Sequence, residues 1–556
     1  MTGDIHEERA HAMAWLSQWA LPIWATVGYD ASACLFHERL TLDGRPLVQL
    51  PRRLMVQCRQ MFVMAHASLI GIYDGRSLLQ QTFARMVDWY RDVTLAGRWV
   101  FSVYGDGKVA DRRCDSYSLA FLLLALAWLY RVRPDEQLLG LVDEIYDVLD
   151  GPLAIDSGGV SDGLPRPDQF LRQNPNMHLM EAYLAVYEAA FRPKDLDRAV
   201  TIGNLFSLKL FDWTRMALPE VHDDTWRASD CGWFEPGHHF EWLWLLRRLA
   251  RVAPLSVDAS AKALLSRAQT EGLDAEGFVI DRVDMSGGLK TATRRCWSTC
   301  EYVKACAAEA ELSRCSEWET NAASALRALR MGFLASAKPG LWIDRIDEHG
   351  RPISTDVPAS TLFHVFLALS ETNRVFGSSR SRPSKSYGFR RPALFVDRDG
   401  VLNQDIGYPL KPADIRWVAG VSDAIRLANN AGYAVVVVSN QSCVGRGLAT
   451  EAEVRALHEW MATRLAEKGA FVDGWYYCPY HPAASNTAYL HPCHYERKPN
   501  PGLILRAAVE LNLNLQASLL IGDKGTDIEA ARRAGICGYL FPGGNLAQFV
   551  SHVLSI

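Results

Sequence analysis

The sequence has no surplus of positive charge. Its 59 Lys and Arg face 63 Asp and Glu, for a net charge of −4 and a pI near 6.4. No global positive field would draw a phosphate backbone, which argues against a nucleic-acid partner. Long apolar runs are also missing. The longest uncharged one lies between Asp115 and Arg131, short of the ~20 residues that span a bilayer. The 12 cysteines lack the density and spacing of a secreted disulfide scaffold. The acidic start Met1-Thr2-Gly3-Asp4-Ile5-His6-Glu7-Glu8 has no apolar segment of the signal-peptide kind. The expectation is a cytoplasmic protein without a membrane partner. What is present is ordinary for folded protein, with 49% hydrophobic and 22% charged residues. Its 17 Trp and 19 Tyr are of the kind that line sugar sites, although such rings also fill cores.

The chain divides by texture. Over residues 1–375, apolar residues recur at helical spacing, as in Tyr117–Tyr130, Met177–Ala190, Phe240–Val252, Cys300–Leu312 and Thr361–Leu369. Alternating strands are scarce, and no fixed-period repeat is visible. Many helices over this length suggest stacked helical pairs or a closed helical toroid. Residues 376–391 include Gly377-Ser378-Ser379-Arg380-Ser381-Arg382-Pro383-Ser384-Lys385-Ser386 and read as a linker. Residues 392–556 carry the continuous apolar runs Ala393–Val396, Ala434–Val438 and Leu519–Ile521, separated by helical stretches. Buried parallel strands alternating with helices make a doubly wound, Rossmann-like α/β sheet. Ligands of such sheets bind beyond the carboxyl ends of the strands.

Those ends are polar in all three cases. The first runs into Asp397-Arg398-Asp399-Gly400, the second into Ser439-Asn440-Gln441, and the third into Gly522-Asp523-Lys524-Gly525-Thr526-Asp527. Arg497-Lys498-Pro499 lies between the last two. Carboxylates gathered at one sheet edge repel, so the cluster calls for a cation, and hard oxygen ligands suit Mg2+.

This constellation resembles the haloacid-dehalogenase-type phosphatases. Within them it is similar to the D-glycero-D-manno-heptose-1,7-bisphosphate phosphatases, through Val396–Gly400 with Gly407-Tyr408, Ser439–Ser442 with Gly445-Arg446-Gly447, Tyr477-Cys478-Pro479, Arg497-Lys498-Pro499 and Gly522-Asp523-Lys524. The resemblance implies that Asp397 attacks phosphorus to form an aspartyl-phosphate. Asp399 then protonates the leaving oxygen and activates water. Ser439 and Asn440 bond the phosphoryl oxygens, and Lys498 offsets charge. Asp397, the Asp399 carbonyl and Asp523 hold Mg2+, with Asp527 in support. Arg446 and Arg497 contact substrate. The expected partner is a phosphorylated sugar; histidinol phosphate and a sugar monophosphate stay open as alternatives.

One departure concerns a zinc loop. The family pattern is Cys-x-His…Cys-x-Cys, whereas this chain has Cys478-Pro479-Tyr480-His481 and His491-Pro492-Cys493-His494. Cys478, His481, Cys493 and either His491 or His494 could still form a tetrahedral Zn2+ site. An unmetallated loop is the other reading.

In the helical region, histidines stand near expected helix starts: His178, His238 with His239 after Pro236-Gly237, and His364. With Arg53, Gln57-Cys58-Arg59, Asn176-Met177-His178, Glu241-Trp242, Trp297, Glu301 and Leu362-Phe363-His364, the region resembles the N-acylglucosamine 2-epimerase superfamily. The members of that superfamily are (α/α)6 barrels and include mannose isomerases. The implied roles are His238 and His364 as the acid/base pair at sugar C2, Arg59 as donor to the enediolate, and His178 and Glu241 as sugar-positioning groups. The family's Tyr-Asp-His segment is represented only by Asp115-Ser116-Tyr117-Ser118. The whole chain reads as a sugar aldose–ketose isomerase or 2-epimerase tethered to a sugar phosphatase. The alternative makes the N-terminal part a non-catalytic sugar-binding or dimerisation module, and a homodimer is left open.

Overall fold

The computed structural model describes residues 4–377 and 391–554, apart from 96, 191, 229–231, 254–256, 314, 493 and 512. Most of the expected linker, 378–390, thus lies outside the described residues. The chain divides into two compact units, Met1–Pro383 and Ser384–Ile556.

In the first unit six helices form an inner ring: α1 Leu54–Leu69, α2 Ser116–Val132, α3 Gln173–Ala190, α4 Pro236–Val252, α5 Cys296–Ser313 and α6 Thr361–Phe376. Each packs on the next, and α6 returns to α1. The outer helices Ile5–Trp15, Arg76–Trp89, Glu136–Asp150, Pro193–Leu205, Asp258–Gly272 and Ser316–Ala328 each pack against an inner one. The result is an (α/α)6 barrel. Sequence dictates the layering. Inner α2 buries a continuous run from Ser118 to Ala127 because it has neighbours on both sides. Outer Glu136–Asp150 buries only the stripe Leu138, Val142, Ile145, Tyr146, Val148 and Leu149.

The two ends of this barrel differ. At the C-terminal ends of the inner helices, Arg131 and Arg248 pair with Glu188 at 2.9 Å, and Arg374 pairs with Glu311 at 2.7 Å and Glu371 at 3.0 Å. Arg251 also pairs with Glu311. Cations there complement the helix dipoles. Phe62, His66, Trp128 and Phe366 fill the space inside, with His66 stacked on Trp128 at 4.1 Å. That end is closed. At the opposite end lie the helix starts and more strand than the sequence suggests. Trp233–Phe234, Ile280–Asp284, Leu289–Arg295 and Arg345–Ile346 form a four-stranded antiparallel sheet in that order. Register shifts between Ile280 and Val283 break the alternation that would have marked it. Trp233–Phe234 leads into α4 and Leu289–Arg295 leads into α5, so the sheet fixes where these helices begin.

The second unit is a five-stranded parallel sheet: β1 Ala393–Val396, β2 Ala434–Asn440, β3 Gly474–Cys478, β4 Leu519–Gly522 and β5 Cys537–Leu540. Strand order is 3-2-1-4-5. Helices cover both faces. Val421–Asn430, Glu451–Ala466 and Leu546–Leu554 bury one set of strand residues, including Leu394, Val396, Val435 and Ile521. Gly502–Glu510 and Gly525–Arg533 bury the alternate set, including Phe395, Val436, Val438 and Leu520. The direction of winding reverses between β1 and β4, which opens a crevice beyond their carboxyl ends.

Candidate active sites

Asp397 follows β1, Asp523 follows β4, and Asp527 opens the next helix. Oxygens of all three carboxylates lie within 4.8 Å of one another. Lys498 Nζ reaches Asp397 at 3.0 Å and Asp527 at 2.5 Å, and donates to the Val438 carbonyl at 2.8 Å. Burial pushes the Asp397 carboxyl up to about 6; Lys498 opposes this, while Asp527 and Asp399 add to it. Asp523 is raised as well, chiefly by burial. Its Oδ1 is buried without a hydrogen-bond partner. Three crowded carboxylates, one ammonium and an orphaned oxygen fit a hard divalent cation. Gly400 makes the gathering sterically feasible. Its φ is +94°, and a Cβ there would stand 2.2 Å from Asp523 Oδ2.

Asp399 is oriented on every side. Arg398 donates to its two oxygens at 3.0 and 2.8 Å, Asn403 at 2.9 Å, and Gln441 at 3.0 Å. Gln441 also donates to Ser439 Oγ at 2.9 Å, joining the end of β2 to the same network. The Asn440 side chain is placed differently from the expectation. Its carbonyl accepts the Lys498 N–H at 3.0 Å and its amide donates to the Lys498 carbonyl at 3.0 Å. It therefore holds Lys498 instead of pointing to a phosphoryl group. Arg446 Nη2 lies 3.3 Å from His481 Nε2, and Arg497 donates to the Tyr480 carbonyl at 3.0 Å. Burial, with Arg446 adding, lowers Arg497 below the ordinary guanidinium range despite nearby Cys478 and Tyr408. Two guanidiniums that near each other make an anion-attracting corner.

The expected zinc set is not assembled among the described residues. His481 Nδ1 accepts from the Ala483 N–H at 3.0 Å and its Nε2 faces Arg446, so both ring nitrogens are engaged. Cys478 Sγ instead lies 3.8 Å from His494 Nδ1, and Tyr480 stacks on His494 at 3.8 Å. Cys493 lies outside the described residues.

In the barrel, every proposed residue sits in the first two turns of an inner helix. Arg59 is on α1, Tyr117 on α2, His178 on α3, His238 and Glu241 on α4, Glu301 on α5 and His364 on α6. The ring thereby brings together residues some 300 positions apart. Arg59 donates to Tyr117 Oη at 2.7 Å and to the Ser360 carbonyl at 3.3 Å, and lies over the Phe121 ring at 4.1 Å. Tyr117 thus marks the shortened Asp-Ser-Tyr segment as part of the site. His178 Nδ1 lies 3.0 Å from Glu181, His238 Nδ1 2.9 Å from Glu220, and His364 Nδ1 2.6 Å from Glu301. His178, Glu181 and Glu241 form one close group; Glu241, Glu301 and His364 form a second. Trp297 lies between the outer pair, 5.0 Å from the His238 ring and 5.6 Å from that of His364.

The two imidazoles are driven apart. Burial acts to lower His238, but Glu220, Glu235 and Glu241 outweigh it and raise the group to about 9. Burial lowers His364 well below the ordinary value, and Arg59, Lys304, His178 and His238 add to this. Their surroundings thus push the two rings in opposite directions, His238 towards holding its proton and His364 towards losing it. His239 is not part of the site. Its Nε2 accepts the Leu218 N–H at 3.0 Å and its ring stacks on Phe234. Sequence reasoning missed Glu220 and Glu181. Glu181 follows His178 at helical spacing, a usable signal; Glu220 precedes His238 by 18 residues across a loop and carried none.

The N-acylglucosamine 2-epimerase (GlcNAc 2-epimerase) family matches residues 35–368, and a HAD-hydrolase-like family matches residues 495–548. A D-glycero-beta-D-manno-heptose-1,7-bisphosphate 7-phosphatase from Rhodopseudomonas palustris is 44% identical over 165 residues, 30% of this chain and 91% of that protein. A D-mannose isomerase structure superposes with a TM-score of 0.59 at 19% identity, covering 65% of this chain and 96% of the isomerase. The cellobiose 2-epimerase of Spirochaeta thermophila gives 0.60 at 19% identity, covering 67% and 97%. The last two establish likeness of fold.

Proposed function

The chain belongs to the N-acylglucosamine 2-epimerase family and joins to that domain one akin to the heptose-bisphosphate phosphatases; from this premise we propose that it is a bifunctional sugar enzyme. The C-terminal reading rests on Lys498 bridging Asp397 and Asp527 at the winding reversal. Asp397 attacks phosphorus and forms an aspartyl-phosphate as the sugar oxygen leaves. Asp399, held by Arg398, Asn403 and Gln441, delivers the proton to that oxygen and then takes one from water. Lys498 offsets the charge of the nucleophile and the transferred group, and the Ser439 hydroxyl bonds a phosphoryl oxygen. Asp397, Asp523 and the Asp399 carbonyl would hold Mg2+, which lets an anionic carboxylate approach an anionic phosphate. Arg446 and Arg497 favour a substrate with a second anionic group, as in D-glycero-D-manno-heptose 1,7-bisphosphate. No role for zinc is derived, because the described residues do not assemble its ligands.

The N-terminal reading rests on His238 and His364 flanking Trp297 at the helix starts, each with a carboxylate at Nδ1, in surroundings that push the two rings in opposite directions. His364 Nε2 takes the proton from sugar C2, the C2–H electron pair enters the enediolate, and the His238 imidazolium is the second group, able to return a proton to the other face. Arg59 stabilises the enediolate oxygen. His178 and Glu241 bond hydroxyls and fix the sugar. Return of the proton to C1 gives an aldose–ketose isomerase, and return to the opposite face of C2 gives a 2-epimerase.

Both halves are tested on the full chain. Phosphate release is measured over heptose bisphosphates, heptose and hexose monophosphates and histidinol phosphate, with and without Mg2+. In parallel, the same sugars and their unphosphorylated forms are incubated in D2O. Mg2+-dependent release that is greatest for the heptose bisphosphate, with deuterium entering a sugar at C2, is the expected result. Binding of sugar without exchange would identify the barrel as a non-catalytic module.

A further inference from the structure

Lys304 is a buried ammonium that the mechanism above does not use. It stands on α5 one turn after Glu301, with no exposed surface. Its Nζ lies 2.6 Å from Glu301 Oε2 and 4.0 Å from the centre of the Trp244 ring. The other oxygen of Glu301 faces His364 Nδ1 at 2.6 Å. Lys304, Glu301 and His364 thus form a line running from the floor of the barrel to the reacting imidazole. Lys304 also acts on Glu241 and Glu181, so it is the cation shared by three buried carboxylates.

We propose that Lys304 is a positioning residue that fixes the tautomer of His364 through Glu301. This rests on the isomerase reading of the same site. The groups facing His364 are Arg59 from α1, His178 from α3, His238 and Glu241 from α4, and Glu301 and Lys304 from α5. Burial and Glu241 raise Glu301 well above the ordinary carboxylate value, Lys304 being the principal opposing charge, so it is the 2.6 Å contact with the Lys304 ammonium that would hold the carboxylate in its ionised form. An ionised Glu301 accepts a hydrogen bond only, so the His364 proton must reside on Nδ1. Nε2 then keeps a free lone pair and is the atom able to take a proton from carbon. On proton transfer the C2–H bond breaks, its electron pair enters the enediolate, and the proton forms the new Nε2–H bond. The imidazolium so formed is stabilised by Glu301. Without Lys304, Glu301 takes up a proton of its own, becomes a donor to Nδ1, and leaves the His364 proton on Nε2, where it blocks the reaction.

The test reads the imidazole directly. The full chain is labelled with 15N-histidine, and the His364 signals are assigned by their loss in His364→Gln. In the wild type, the expected pattern is a protonated Nδ1 and an unprotonated Nε2; an Nε2–H tautomer overturns the proposal without any variant. In Lys304→Met and Lys304→Gln, the signals should move towards the Nε2–H tautomer. The kcat for C2 deuterium exchange should fall ~10²-fold with KM within about twofold, and Lys304→Arg should recover most of it. A folded Lys304→Met with unchanged His364 signals overturns the proposal. So does a loss confined to KM. If the wild type exchanges deuterium into no sugar, the isomerase reading fails, while the 15N signals still decide whether Lys304 governs His364.

Discussion

The barrel and the sheet handle buried charge in opposite ways. In the barrel each of the three site imidazoles has its own carboxylate: Glu181 for His178, Glu220 for His238 and Glu301 for His364. The acids there serve the bases, and the positive groups are part of the protein. At the sheet edge, on the proposed reading, the acids Asp397 and Asp399 are themselves the reacting groups. Asp397, Asp523 and Asp527 crowd one ammonium, and an oxygen of Asp523 is left without a partner. The three site imidazoles thus have counter-charges fixed in the protein, whereas the sheet edge, on the proposed reading, would be completed by an added cation. One site should run with nothing bound but sugar, and the other should not.

The sharpest way to break this comparison is to remove one reacting group from each half. Asp397→Asn should lower phosphate release by about 10³-fold or more, and should leave C2 deuterium exchange unchanged. His364→Gln should do the reverse, by a similar factor. Loss of both activities in either variant would show that the sites are not independent. A smaller effect isolates the cation. Gly400→Ala would drive a methyl group against Asp523 and should raise the Mg2+ concentration needed for half-maximal phosphate release by roughly 10–100-fold, with exchange untouched.

The pH dependences should differ too. His238 is raised to about 9, so it remains a donor through neutrality and loses its proton only as the pH rises through that value. His364, lowered well below the ordinary value, stays neutral at moderately acid pH. Deuterium exchange should accordingly show no fall near the usual imidazole range and an alkaline fall near 9. The smallest effect is one of stability. Asp397 binds its proton more tightly in the folded state, with a value of about 6 against an ordinary 3.8. Its stabilising contribution is full below the ordinary value and is lost as the pH rises through the folded one. Mg2+ replaces that proton, so the rise in Tm on adding Mg2+ should be a few degrees larger at about pH 7.5 than at about pH 5. Equal shifts would mean that the ion does not engage Asp397.

The two halves were not equally legible in the sequence. The sheet announces itself because strands buried on both faces are continuous apolar runs, and each run stops at or one residue short of a residue of the candidate site: Asp397, Ser439 and, after Gly522, Asp523. Site and fold share a signal there. In the barrel the helices are visible, but the partners of the histidines follow from ring closure. Glu301 stood out in the sequence as a residue of the family, yet its pairing with His364 depends on α5 lying beside α6. Glu220 sits in a loop whose path is fixed by tertiary contacts. The sheet of residues 233–346 was hidden because its strands are short, charged and bulged. Asn440 is the instructive case at the other site. Its position at the end of β2 is readable, whereas the direction of its amide is decided by the Lys498 main chain.

The sealed end of the barrel has a consequence for traffic. With Phe62, Trp128 and Phe366 packed edge to face inside and the Arg131, Glu188, Arg248, Glu311 and Arg374 pairs beneath them, the described residues crowd the base and leave the helix starts as the side from which a sugar would be approached. On the proposed reading, arrival and departure would share one queue there, and each converted molecule would hold up the next until it has gone.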